Sequence, residues 1–168
     1  ETEIKRIPNQ SFCVDRYEFP NLKGAIPKVD VTWNQAQALC SEKGKRLCSQ
    51  EEWERACKGG ESIRFPYGNQ WDPQMCNTQG DQDSDQPDRK LVPSGKFERC
   101  ITKEGAYDMS GNADEWTQSA GRFNPQSRVT RGGSSKRPDH QTRCSSIREI
   151  LPNAKETDVG FRCCKDAI

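Results

Sequence analysis

The stretch Gly105-Ala-Tyr-Asp-Met-Ser-Gly-Asn-Ala-Asp-Glu-Trp-Thr117 is too polar for a core strand and too rich in Gly and Asn for a helix, so it reads as a shaped loop. Tyr107 and Trp116 give it apolar ends. Between them Asp108, Asn112, Asp114 and Glu115 crowd oxygen atoms around a turn at Ser110-Gly111-Asn112. Such a loop suits a hard cation. Calcium takes about six to eight oxygens from carboxylates, amide side chains and main-chain carbonyls, and a glycine turn lets several carbonyls converge on one point. The alternative is an Asx-type turn whose acids are merely solvated, since the spacing is not that of an EF-hand.

Working outward, the composition asks for help in holding such a chain together. Its 168 residues suffice for a single domain over 1–168, complete or part of a longer exported chain. Yet only 31% are hydrophobic against 30% charged, with 13 glycines, 10 prolines and a mean hydropathy of −1.05. A small core and long loops follow. Nine cysteines supply the missing cross-links. They form no Cys-x-x-Cys pair, and the single histidine, His140, leaves no zinc cluster of ordinary spacing. Disulfides are the reading that remains. They place the chain outside the reducing cytosol, and each is worth about 2 to 4 kcal/mol. Because nine is odd, at least one thiol is left free or pairs with another chain.

The 26 basic and 25 acidic residues are mixed along the chain, so nothing in the charge pattern recommends nucleic acid as a partner. No apolar run is long enough to cross a bilayer, and Glu1-Thr-Glu-Ile-Lys-Arg6 has no signal-peptide core. The expectation is an extracytoplasmic protein (periplasmic, cell-surface or secreted) whose signal or anchor lay upstream of Glu1.

In chain order, Ser11 to Phe19 alternates as a first strand that Pro20 stops, with Phe12, Val14 and Tyr17 turned inward. Thr32 and Gln35 form a capping box that opens a helix, with Trp33, Ala36 and Cys40 on one face and Gly44 at its end. Ser49 and Glu52 open a second helix, whose buried stripe is Trp53, Ala56 and Cys57 and whose stop is Gly59-Gly60. Beyond Lys58 no further helix is expected. Gln79 to Arg89 is an acid-rich loop, read either as a solvated tract or as a second cation site. Arg128 to Ser134 is a strand entering a turn, and Val159 to Cys164 a short final strand.

These residues carry a resemblance. Phe12-Cys-Val-Asp-Arg-Tyr-Glu18, Val31-Thr-Trp33, Gly44-Lys-Arg-Leu47, Glu51-Glu-Trp-Glu-Arg-Ala-Cys57, Phe65-Pro-Tyr-Gly68, Tyr107 to Trp116, Arg131-Gly-Gly-Ser134 and Gly160-Phe-Arg-Cys163 resemble, in order and over nearly the whole chain, the formylglycine-generating enzyme (sulfatase-modifying factor) family. The resemblance implies an α+β, C-type-lectin-like fold: two short helices, short antiparallel strands, many loops and disulfide staples. It also implies calcium, held by the side chains of Asp108 and Glu115 and the carbonyls of Gly111 and Ala113. A second calcium site would use Asn77, the Thr78 carbonyl, and Asp81 or Asp83. Two disulfides carry over, Cys40 with Cys163 and Cys57 with Cys144. For the extra cysteines the expectation is Cys76 with Cys100 and Cys13 with Cys164, leaving Cys48 unpaired.

The family's reaction oxidises a substrate cysteine to formylglycine with oxygen, at copper held by two cysteines just after the Gly-Gly-Ser turn. Copper(I) needs soft thiolates. Here Gly132-Gly-Ser-Ser-Lys-Arg-Pro-Asp-His-Gln-Thr-Arg-Cys144 has no cysteine before Cys144, and Arg137 stands about where the first would be. A tryptophan of the family's loop is also replaced, by Asp114. Copper is therefore not expected, and Asp139-His140 has no visible nucleophile to serve. The reading is a non-catalytic binding or assembly module. Its protein, peptide or glycan ligand would meet the basic loop of Ser134, Lys136, Arg137, His140 and Arg143, with Arg122 and Phe123 as further contributors. Its alternatives are an active oxidase and a structural part of a cell-envelope assembly.

Overall fold

Both capping boxes form. In the computed structural model, which describes residues 4–6, 11–79 and 89–167, helix α1 (Trp33–Glu42) begins at Thr32 and helix α2 (Gln50–Lys58) at Ser49, each with its cap and N3 side chains exchanging hydrogen bonds. Gly59, at φ 59°, ends α2 in the left-handed conformation that glycine adopts without strain. The only other helical piece among the described residues is the single 3-10 turn Asp139–Gln141.

The strands form two sheets. Four of them, β1 (Ile4–Arg6), β2 (Phe12–Asp15), β3 (Arg46–Leu47) and β8 (Cys163–Asp166), make an antiparallel sheet in the order β1-β2-β8-β3. The others, β4 (Asp114–Ala120), β5 (Arg128–Arg131), β6 (Ile147–Ile150) and β7 (Val159–Phe161), make a sheet in the order β6-β5-β4-β7. In it β7 runs parallel to β4, so the strands are not all antiparallel as expected. Trp53, Met109, Ala56 and Val14 pack in one apolar cluster, and Trp116, Phe161, Val159 and Leu47 in the other.

Two expectations about strands change. The opening loop is shorter than it reads, because Asp114 to Thr117 already belongs to the central strand β4. Its polar side chains are tolerated there because each has a buried partner, Thr130 for Asp114 and Arg162 for Glu115. The final strand is really two strands in different sheets, with Arg162 alone between them.

Four disulfides close the frame: Cys40–Cys163, Cys57–Cys144, Cys76–Cys100 and Cys48–Cys164. The pairing expected between Cys13 and Cys164 is corrected, and Cys13 is the free thiol. Register explains the change. On β2 it is Val14 that faces Cys164, so Cys13, one residue away, projects from the opposite side of the sheet. Cys48 directly follows β3, which lies along the other edge of β8 and faces Cys164 at Arg46. Four bridges fit an oxidising, extracytoplasmic compartment. No helix among the described residues is long and apolar enough to cross a membrane.

The sheet switch at Arg162 is held by a buried ion pair. The guanidinium is 1% exposed, and its Nε and Nη2 donate to the two Glu115 oxygens at 2.7 Å each. Its remaining N–H groups reach the carbonyls of Asp15 at 3.1 Å, Arg16 at 3.4 Å and Tyr107 at 2.8 Å. Trp53 of α2 adds its indole N–H to Glu115 at 2.6 Å. One guanidinium thus ties the end of β2, the start of β4, the polar loop and the β7–β8 junction together. Glu18 and Asp108 lie in the same buried surroundings. Burial, and then the charges of Asp108 and Glu115, push the Glu18 carboxyl well above its usual range. Burial pushes Asp108 up to about 6, against the pull of the Gly95 N–H and the Arg162 charge.

Two predictions follow from this cluster. Arg162→Met leaves Glu115 buried and unpaired, and urea unfolding will show a loss of about 3 to 5 kcal/mol. Adding Glu115→Met will recover part of that loss, whereas additive losses would mean the two residues act separately. Glu18 and Asp108 hold their protons more tightly folded than unfolded, so between the usual carboxylate range and about pH 6 the native state binds more protons. In chelator, stability therefore falls as pH rises from the usual carboxylate range through about 6. Calorimetry across that range will show the melting temperature dropping, with a shallower slope in Glu18→Gln.

Candidate functional site

The polar loop is buried rather than solvated. Asp108, Ser110, Asn112, Asp114 and Glu115 are all among the least exposed residues. The loop reverses at Gly111, φ 76°, where a Cβ would come within 2.2 Å of the Asn77 carbonyl oxygen. Asn112 follows in the left-handed region at φ 60°. Its amide accepts from Asn77 and Val92 and donates to both Glu18 oxygens. Glu18 also accepts from Ser94 and the Ala113 N–H.

Against this geometry the calcium ligands divide. Glu115 does not fit as a ligand, because both oxygens already accept from Arg162 and one from Trp53. Asp108 does fit. Its Oδ2 takes the Gly95 N–H at 2.7 Å, while Oδ1 accepts from no described residue, which leaves it open to a hard cation. At the second expected site Asn77 and Thr78 are buried, and the Thr78 hydroxyl lacks a hydrogen-bond partner. Asp81 and Asp83 lie outside the described residues.

A different feature holds the chemistry that sequence reasoning placed on the loop after Ser134. A cavity of about 330 Å³ lies over β4, β5 and the start of β6. Asp114 of β4 and Thr130 of β5 are its buried members, the Gly132-Gly133 turn forms one wall, and Arg137, His140, Ser146 and Arg148 line the rest. Gly133 sits at φ 65°, and a Cβ there would come 2.5 Å from the Gln141 carbonyl, so the wall has no room for a side chain.

The expected binding residues separate. Arg137 and His140 line the cavity. Ser134 is fully buried and donates to Asp158 at 2.7 Å, a part of the frame. Arg143 pairs with Asp139 at 3.1 Å, and Lys136 is exposed but does not line the cavity. Arg122 and Phe123 sit on the β4–β5 turn, also outside the lining, with Phe123 84% exposed. His140 lies 3.4 Å from Asp139 at the solvent-facing rim.

Sequence reasoning missed Asp114, Thr130, Ser146 and Arg148 as cavity residues. Asp114 was the available signal, since a carboxylate where the resembling family carries tryptophan exchanges ring volume for space and charge. Its Oδ2 accepts from Thr130 at 2.9 Å and lies 3.6 Å from Arg148. Burial pushes its carboxyl up to about 6, against that hydrogen bond and the charges of Arg148 and Arg137. Arg148 turns its other edge to Glu156, leaving its buried Nη1 without a hydrogen bond. Arg137 is barer still. Its Nε is buried without a partner, and no described residue makes a hydrogen bond or ion pair with its guanidinium.

No cysteine lines the cavity. Eight of the nine are in disulfides, and the free one, Cys13, lies on β2 in the other sheet.

Comparison with known proteins agrees with this frame. The chain is 33% identical over 160 residues to the inactive C-alpha-formylglycine-generating enzyme 2 of Bos taurus, an alignment covering 84% of this chain and 51% of that one. It is 31% identical over 172 residues to the formylglycine-generating enzyme of Mus musculus, covering 83% and 44%. The chain thus spans about half the length of these curated relatives. Among solved structures, variable protein 1 of Treponema denticola superposes with a TM-score of 0.74 at 16% identity, covering 98% of this chain and 91% of that one, which shows a shared fold. The model of the sulfatase-modifying factor enzyme 1-like domain matches residues 13–167, and the chain belongs to that family.

Proposed function

We propose that this chain is a non-catalytic, extracytoplasmic binding module that holds a protein, peptide or glycan ligand by an acidic group at the cavity beside the loop after Ser134. The observation that carries the reading is the Arg137 guanidinium, which lines the cavity without a partner at about the position of a copper-binding cysteine. A guanidinium recognises carboxylates and related oxyanions through paired N–H donors. The thiol inventory supports the same reading, because one free cysteine on another sheet does not make a two-thiolate copper(I) site. A relative that is itself described as inactive lends further support.

Incubation with oxygen, copper(I) and a peptide bearing a sulfatase-type cysteine motif will leave that cysteine unchanged by mass spectrometry, beside an active family member as control. Conversion to the aldehyde would overturn the reading. Calcium belongs to the same proposal, bound at Asp108 with the Gly111 and Ala113 carbonyls and relieving the negative charge around Glu18. Calcium will raise the melting temperature relative to chelator, and Asp108→Ala will remove most of that rise. An equal rise in wild type and variant would place calcium elsewhere.

A further inference from the structure

The lining of the cavity has more donors than its own acceptors use. Asp114 accepts from Thr130 at 2.9 Å and lies 3.6 Å from Arg148, so its charge is met within the protein. Ser146 turns its hydroxyl to the His140 carbonyl. What remains is a set of N–H groups. Arg137 Nε and Arg148 Nη1 are both buried without a hydrogen bond. In the Gly132-Gly133 wall two successive residues take positive φ, 93° and 65°, and neither N–H donates to a described residue. Successive unpaired N–H groups in such a turn make an anion-binding concavity. Buried donors left unmet are costly, so the site favours a ligand that only accepts.

The placement of these donors selects the kind of anion. They come from three segments: strand β6, the Gly132-Gly133 turn and the loop after Ser134. A carboxylate is planar and offers two oxygens, which a single guanidinium satisfies by itself. A sulfate or phosphate ester offers three terminal oxygens on a tetrahedron and so addresses donors on several sides at once. The space, about 330 Å³, suits one compact head group.

We propose that the acidic group held in this cavity is a tetrahedral oxyanion, the sulfate or phosphate end of an ester, bound by Arg137, Arg148 and the Gly132-Gly133 N–H groups together. Asp114 does not touch the ligand. It and Glu156 hold the Arg148 guanidinium from two sides, which sets that donor before the ligand arrives. This inference rests on the binding reading above, which requires only that Arg137 meets an acidic group.

NMR titration of the protein with methyl sulfate, methyl phosphate and propionate, at fixed ionic strength, separates the two. The expected result is that at least one ester binds saturably and propionate about tenfold more weakly, the tighter ester naming the head group. Arg148→Lys keeps the charge and loses the Nη1 donor, so it will bring the ester down toward propionate and leave propionate unchanged. Arg137→Gln will weaken all three, and Lys136→Ala, outside the lining, none. Circular dichroism and melting curves like those of the parent will show that the variants fold, and the ranking of the three anions on the parent decides even where one does not. Propionate binding as tightly as both esters, or an ester preference untouched by Arg148→Lys, would overturn the tetrahedral head group and leave the acidic-ligand reading standing. Binding by none of the three, or equal weakening by Lys136→Ala, would overturn both.

Discussion

The bidentate contact between Arg162 and Glu115 is the constraint on which the architecture turns. A guanidinium with no solvent access keeps its charge only where every N–H finds an acceptor, and here the acceptors come from three separate segments. The chain crosses from one sheet to the other in a single residue, and that residue is Arg162. Moving either sheet would cost the guanidinium some of its acceptors. The ion pair therefore fixes the relative placement of the sheets more strictly than apolar packing, which tolerates sliding, would do alone. The disulfides of Cys163 and Cys164, the next two residues, tether β8 to α1 and to the end of β3 immediately beyond it.

Around that pair the protein gathers more acid than base. Glu18 and Asp108 add two carboxylates to Glu115, with Arg162 as the cation among them. Neutral donors carry part of the load, as Asn112, Ser94 and the Ala113 and Gly95 N–H groups all point at carboxylate oxygens. The rest is met by proton uptake, or by the calcium proposed at Asp108. This explains why a segment so polar forms the middle of the molecule: its side chains are addressed to one another and to Arg162, not to water.

Much of the frame was legible because it is written in local rules. Thr32 with Gln35 and Ser49 with Glu52 announce their helices through a spacing that needs no tertiary knowledge. What stayed hidden depends on partners distant in sequence. Asp114 to Thr117 is a strand only because β5 and β7 flank it and because Arg162, 47 residues from Glu115, supplies the counter-charge. The two-residue β3 has no periodicity to detect, and without β3 Cys48 had no visible reason to lie near Cys164. The cavity was half legible. Arg137 and His140 sit on the loop that drew attention, but Asp114, Thr130 and Arg148 reach it from three strands whose pairing was not in the pattern.

The core and the candidate site meet on consecutive residues. Along β4 successive side chains leave from opposite faces, so Glu115 turns toward Trp53 and Arg162 while Asp114 turns toward Thr130 and the cavity. β4 lies between β5 and β7 and is anchored at Glu115 by the buried ion pair. Asp114 is therefore held on one of the least movable backbones in the chain. Arg137 comes instead from a loop whose main chain is tied by hydrogen bonds to Ser134 and Gln79 while its side chain stays unpartnered. A carboxylate set on a central strand and a guanidinium carried by a loop thus line the same cavity. Arg137 stands about where the resembling family places a copper-binding cysteine and Asp114 where it places a tryptophan, so the scaffold is kept while the side chains that line the cavity change.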